Sequence, residues 1–229
     1  MEPKIALVTG ASGGLGTSVV KALLDAGMTV VGVARNITAH DFPHPLFVPL
    51  PGSLSTLQSS TALVDGVIQR FGRIDVLAHL VGGFDGGKPV AETGEDSFRA
   101  MFDINLLSAF HALRAVLPHM RRQQNGRIVA IGSRAAEFPG PGVGAYSASK
   151  AALVSLIRTV AMENGKVGIT ANILLPGTID TPANRAAMPD ANTSSWVQPS
   201  NIASLIVWLA GDAGRDVNGA VVPVYGTGG

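Results

Sequence analysis

Tyr146 and Lys150 stand four residues apart in Tyr146-Ser147-Ala148-Ser149-Lys150, the spacing that brings two side chains onto one face of a helix. A tyrosine hydroxyl titrates near pH ~10, so acid/base work at neutral pH needs a neighbour that stabilises the phenolate. A lysine ammonium one turn away does this by proximity and lowers the phenol pKa. Ser133, thirteen residues before Tyr146 and at the end of an apolar run, offers a hydroxyl that could hold a carbonyl oxygen. Asn105, forty-one residues before Tyr146, adds an amide. Taken singly, each has an ordinary structural reading: a capped aromatic, a solvated helix face, a turn hydroxyl, a packed polar residue. Together they suit proton transfer to or from a substrate oxygen.

A glycine loop, Thr9-Gly10-Ala11-Ser12-Gly13-Gly14-Leu15-Gly16, follows the apolar run Ile5-Ala6-Leu7-Val8 and opens a helical stretch from Leu15 to Ala26. Such glycines let the backbone turn tightly and approach a pyrophosphate, whose charge is met by free amides and the positive end of the helix. Further strands are predicted at Thr29–Ala34, Leu46–Val48, Asp75–Val81, Arg127–Gly132, Thr170–Leu175 and Val221–Val224. Thr93 with Asp96 reads as a capping box that opens a long helix to about Arg122, with its exit at Gly126. Helices are also predicted over Ala145–Asn164 and Asn201–Ala210. The alternation implies an α/β fold, a doubly wound parallel sheet with helices on both faces, in a single domain over 1–229. The stretches 36–45 and 176–199 read as irregular. The second follows a strand's carboxyl end, where ligands bind in such sheets, and its part from about 177 to 199 reads as a short substrate lid.

Composition narrows the classes. Apolar residues make up 46% and charged residues 14% of 229, which implies extensive burial in a core or between subunits. A net charge of +1 with no basic run longer than Arg121-Arg122 argues against a nucleic-acid partner. No signal-peptide pattern and no uncharged apolar run of about 20 residues is seen, so a soluble, cytoplasmic protein without a membrane partner is expected. There is no cysteine, which excludes disulfides, thiol nucleophiles and cysteine-ligated metals. His40 and His44 are separated from helical geometry by Pro43 and Pro45, so no metal site is expected.

The glycine spacing, Asn105, Ser133, Tyr146 with Lys150, Pro176-Gly177 with Thr181, and the closing Asn218-Gly219 occur in one order along the whole chain. In this the sequence resembles the short-chain dehydrogenase/reductase family. The resemblance implies a Rossmann-type fold and hydride transfer between a nicotinamide cofactor and a carbonyl or alcohol, with Tyr146 as general acid/base. It also implies that Lys150 binds the nicotinamide ribose, that Ser133 holds the substrate oxygen, and that Asn105 anchors a water relaying protons to the lysine. Cofactor contacts are carried over to Gly10, Ser12, Gly13, Gly14, Leu15, Gly16, Val81, Gly82, Pro176, Gly177, Ile179 and Thr181. After the second strand the chain has Arg35 rather than an acidic residue, which favours NADP(H), with NAD(H) as the second choice. Leu50-Pro51-Gly52-Ser53 and Leu80-Val81-Gly82 replace family motifs around the adenine, where backbone contacts would substitute.

Asp180–Pro189, Ser194-Ser195-Trp196 and Val81–Gly87 are similar to the dihydropteridine reductase branch, which makes a pterin the alternative substrate. That branch lacks the serine found here at Ser133 and uses an acidic residue where Ala34 stands. A cofactor-binding sensor without catalysis is the alternative of another class, disfavoured because tyrosine and lysine are both present. Phe98, Phe102, Leu106, Phe110, Leu153 and Leu156 extend the apolar surface of two helices that relatives pair between subunits, so a homotetramer is expected, with a homodimer as its competitor.

Overall fold

A computed structural model describes residues 3–227. The strands run Ile5–Thr9 (β1), Thr29–Ala34 (β2), Phe47–Pro51 (β3), Val76–His79 (β4), Gly126–Ile131 (β5), Ile169–Pro176 (β6) and Val221–Val224 (β7). The helices are Gly14–Asp25 (α1), Leu57–Phe71 (α2), Glu95–Phe102 (α3), Ser108–Gln123 (α4), Gly144–Asn164 (α5), Pro182–Ala187 (α6) and Pro199–Ala210 (α7). All strands are parallel, in the order β3-β2-β1-β4-β5-β6-β7. The winding direction reverses between β1 and β4, the place in open parallel sheets outside whose carboxyl ends ligands bind.

Helices cover both faces, which is why β1 and β6 are buried at every position. On one face Val19, Val20 and Leu23 of α1 pack with Ile202, Ile206 and Leu209 of α7 against Val8, Val30 and Leu174. On the other, Val64 and Val67 of α2, Leu113 and Val116 of α4, and Leu153 and Ile157 of α5 pack against Leu7, Leu77, Ile128 and Ile173. Helical structure is continuous from Glu95 to Gln123, long and apolar enough to cross a membrane. Here Ala109, Ala112, Leu113, Val116 and Met120 lie in the core against the sheet.

Local signals are corrected in three places. Thr93 does not cap the long helix: its hydroxyl donates to the Pro89 carbonyl at 3.0 Å, and Gly94 occupies the N-cap without a side-chain bond. That helix leaves through Gln124, at φ 52°, and Gly126 is instead the first residue of β5, close under Met120. Helix α2 has no counterpart in the predicted elements, although Thr56 caps it by accepting the Ser59 N–H and Gly72 ends it at φ 74°.

Candidate active site

The glycine loop is fastened at both ends. Gly10 and Ala11 donate backbone N–H groups to the Val33 carbonyl at 2.9 and 3.2 Å, which ties the loop to the end of β2. Gly10 adopts φ +73°, and an added Cβ would lie 3.1 Å from the backbone of Leu80 and Val81. The N-cap of α1 is Gly13, which has no side chain to satisfy the first-turn amides, so these are available to an anion. Ser12, Gly13 and Gly14 are exposed on this rim, while Leu15 is half-buried and Gly16 buried. Arg35 follows β2 directly, and its exposed side chain stands at the loop's fastening point.

Lys150 is buried on α5 and its Nζ donates to the Ile131 carbonyl at 2.9 Å. Burial lowers its pKa to about 8. Burial pushes the Tyr146 phenol above its ordinary value, and the Ser133 hydroxyl, hydrogen-bonded to it, acts the other way. The expected lowering by Lys150 is not found, because the ammonium is directed at the Ile131 carbonyl rather than the phenol oxygen. Ser133 lies two residues beyond β5 and caps the turn Arg134–Ala136, where its Oγ accepts the Ala135 N–H at 3.1 Å. That bond uses an acceptor position and leaves the hydroxyl proton free to donate.

Asn105 is fully buried in a π-helical turn, Asp103–Leu107, between α3 and α4. Such turns concentrate at functional sites because they re-aim single side chains. Its Oδ1 accepts the Gly83 N–H at 2.9 Å, and its Nδ2 donates to the Gly83 carbonyl and Ser149 Oγ, both at 3.1 Å. The side chain thus clamps the loop after β4 onto α5. A Cβ on Gly82 would lie 2.9 Å from Asn105 Oδ1 and 3.1 Å from Lys150 Nζ. Phe84, in the same loop, meets the Tyr146 ring edge-on at 5.0 Å. Asn105, Tyr146 and Lys150 therefore border one loop at the carboxyl edge of the sheet, and Ser133 stands beyond the end of β5.

The sequence reading missed His79. Burial, with the Lys150 charge second, lowers its pKa to about 3, so the ring is neutral. Thr9 Oγ1 accepts the Leu80 N–H at 3.2 Å and lies 3.0 Å from His79 Nδ1, to which it donates. The Nε2–H then faces Ser108 Oγ at 3.4 Å, and Ser108 donates to the Ile104 carbonyl at 2.6 Å. This chain links the glycine-loop strand through β4 to the π turn that carries Asn105. His79→Leu would leave two buried hydroxyls without this partner, at a cost of about 1–3 kcal/mol. A thermal midpoint lower by roughly 5 °C is expected, with His79→Asn recovering part of it through Thr9. An unchanged midpoint in His79→Leu would contradict the relay.

The segment after β6 folds back on the loop. Gly177 donates to the Val224 carbonyl at 3.0 Å, and a Cβ there would collide with the Tyr225 carbonyl. Ile179 bridges to Val197, with Val197 N–H to Thr178 at 2.8 Å and Asp180 N–H to Val197 at 2.9 Å closing the base. Arg185 pairs with Asp180 at 2.5 Å inside the segment. Thr181 caps α6, and a Cβ on Gly14 would touch its side chain at 2.9 Å. Of these residues Thr181 meets the glycine loop, at Gly14, while Pro176, Gly177 and Ile179 are held by Val224, Tyr225 and Val197; Val81 packs partly into the core, its backbone N close to Gly10.

The model of the short chain dehydrogenase family matches residues 4–192. A short chain dehydrogenase/reductase of Aspergillus oryzae, astE, is 30% identical, covering 98% of this chain and 94% of its own. The 3-oxoacyl-[acyl-carrier-protein] reductase FabG of Thermotoga maritima is 28% identical over 99% and 98%. The crystal structure of gox2181 superposes with a TM-score of 0.91 at 28% identity, covering 98% of this chain and 95% of the other.

Proposed function

The chain belongs to the short-chain dehydrogenase family, and from that premise we propose that it interconverts a carbonyl and an alcohol with a nicotinamide dinucleotide, Tyr146 serving as general acid/base. The observation that carries this reading is the convergence of Tyr146, Lys150 and Asn105 on the loop Gly82–Phe84, beside the glycine rim.

The residues present fit such a dinucleotide. The bare N-cap at Gly13 and the Cβ-intolerant turn at Gly10 suit a pyrophosphate, and Thr181 closes over Gly14. When bound, the nicotinamide supplies or takes up the hydride. In the reducing direction the Ser133 hydroxyl donates to the substrate oxygen and Tyr146 delivers the proton. Its raised pKa keeps the phenol protonated at neutral pH, the form a proton donor needs. Lys150, in its charged form and anchored on the Ile131 carbonyl beside Gly82, would hold the nicotinamide ribose. The segment from 177 to 199 acts as a lid, its base held by the Ile179–Val197 bridge.

The buried ammonium sets a pH limit. With a pKa of about 8, kcat/KM for reduction is expected to fall as pH rises through about 8, roughly tenfold per unit beyond it. Stability moves the other way: between about 8 and 10.5 the unfolded chain holds the proton that the folded chain releases, so folding gains as pH rises. A rate profile flat to pH ~10 would contradict the charged role of Lys150.

Arg35 makes NADP(H) the preferred dinucleotide, since an exposed guanidinium at the loop's edge meets a ribose phosphate. Arg35→Asp is expected to reduce the NADPH preference by about tenfold or more. An unchanged NADPH-to-NADH ratio would show that Arg35 does not read the phosphate.

The substrate test is cofactor oxidation against a carbonyl panel and quinonoid dihydropterin. Turnover of carbonyls that depends on Ser133 supports this reading; dihydropterin turnover that survives Ser133→Ala would replace it. We also propose assembly through α3 and α4, because Phe98, Ile104, Leu107 and Phe110 are exposed there, whereas Leu153 belongs to the core and Leu106 and Leu156 pack on it. A homotetramer is the form expected.

A further inference from the structure

Among the described residues, three of the four most exposed large apolar side chains lie on the two loops that flank Tyr146. Phe84 is 66% exposed and Val90 76% exposed on the loop after β4, and Phe138 is 61% exposed on the loop after β5. The loops are joined by the Gly87 N–H donating to the Gly142 carbonyl at 2.8 Å. Between them lies a cavity of about 510 Å³ lined by Gly87, Pro89, Val90, Pro139, Gly142 and Ser147, the last adjoining Tyr146. Phe84 stands on the Tyr146 ring and Phe138 on that of Tyr225, so each presents an exposed aromatic face beside the site.

Arg134 follows Ser133 directly. Its guanidinium stands 5.9 Å from the Phe138 ring centroid and 5.4 Å from that of Tyr225, and the two rings meet edge to face at 6.1 Å. The Tyr225 hydroxyl donates to Glu137 Oε2 at 3.1 Å, which directs the nearby carboxylate to the phenol rather than to Arg134. Among the described residues no acceptor engages the Arg134 fork. An exposed guanidinium placed over two rings beside Ser133 can present its fork to an anion.

We infer that Arg134, with Phe84 and Phe138, forms the recognition site for an aromatic carbonyl compound carrying an anionic group away from the reacting carbon. The rings flank the aromatic body, Arg134 holds the anion, and the neighbouring Ser133 receives the carbonyl oxygen. This assignment rests on the carbonyl-oxidoreductase reading above and names its substrate class.

The test compares 4-carboxybenzaldehyde with methyl 4-formylbenzoate, which differ in charge, using the full chain saturated with NADPH. Wild type is expected to favour the acid in kcat/KM by about tenfold, mainly through KM. Arg134→Met should remove that preference while leaving ester turnover within about twofold, and Arg134→Lys should restore only part of it. Equal rates for acid and ester in wild type, or equal losses for both in Arg134→Met, would overturn the anion site and assign Arg134 to holding the loop.

Benzoate titrated into the NADPH complex separates the two readings. Binding that weakens about tenfold in Arg134→Met, without turnover of any carbonyl, would sustain the anion site and sink the oxidoreductase reading. Turnover of carbonyls with benzoate binding indifferent to Arg134 would do the reverse.

Discussion

Tyr146→Phe is expected to lower carbonyl turnover about a thousandfold, within the range that a positioned general acid contributes, while cofactor affinity stays within about twofold. The substitution keeps the ring that Phe84 meets at 5.0 Å and deletes only the hydroxyl. The half-buried phenol is raised above its ordinary pKa by burial, so it enters the reaction protonated. Steady-state turnover and a fluorescence titration with NADPH separate the two quantities. More than about a tenth of wild-type turnover in the variant would show that another group delivers the proton.

The second large effect belongs to Gly16. An added Cβ would lie 2.1 Å from the Gly10 carbonyl oxygen and 2.7 Å from that of Ala11, both backbone atoms that cannot swing aside. The turn would have to open and detach from the Val33 carbonyl that now holds it. Gly16→Val should therefore weaken dinucleotide binding by at least about a hundredfold, equivalent to about 2.8 kcal/mol, and lower the thermal midpoint. Gly66, exposed in the middle of α2 with nothing within 4 Å of an added Cβ, is the control. Gly66→Ala should stabilise the protein by roughly 1 kcal/mol and leave binding intact. Tight binding by Gly16→Val would contradict the cradle.

Much of the site could be read before the structure, because its geometry follows spacing along one element. The four-residue interval of Tyr146 and Lys150, and the glycines between β1 and α1, keep their meaning wherever the rest of the chain goes. The direction of the lysine could not be read that way. One face of a helix brings Nζ to the cleft, but only the end of β5 places the Ile131 carbonyl where it accepts the ammonium's hydrogen bond.

His79 was hidden for a related reason. Within an apolar run it reads as a strand residue, and its partners Thr9 and Ser108 are 70 and 29 residues away in sequence. The Arg134 cluster joins Phe138 to Tyr225 across the ends of β5 and β7, so only the strand order brings it together. Helix α2 is absent from the predicted elements, and its first turn, Gln58-Ser59-Ser60-Thr61, carries no apolar residue that would signal a helix. It is held instead by its Thr56 cap and by Val64 and Val67 in the core. At Thr93 the cap signal gave way to the Pro89 carbonyl, which took the hydroxyl first.

The most direct measurement follows the hydride. NADPH deuterated at one face of C4 is incubated with the protein and 4-carboxybenzaldehyde, and the alcohol is analysed by mass spectrometry. This account expects one deuterium on the carbinol carbon from one of the two C4-labelled diastereomers, and none from the other or from deuterated water. An alcohol without label, or bound NADPH with no alcohol formed, would contradict it.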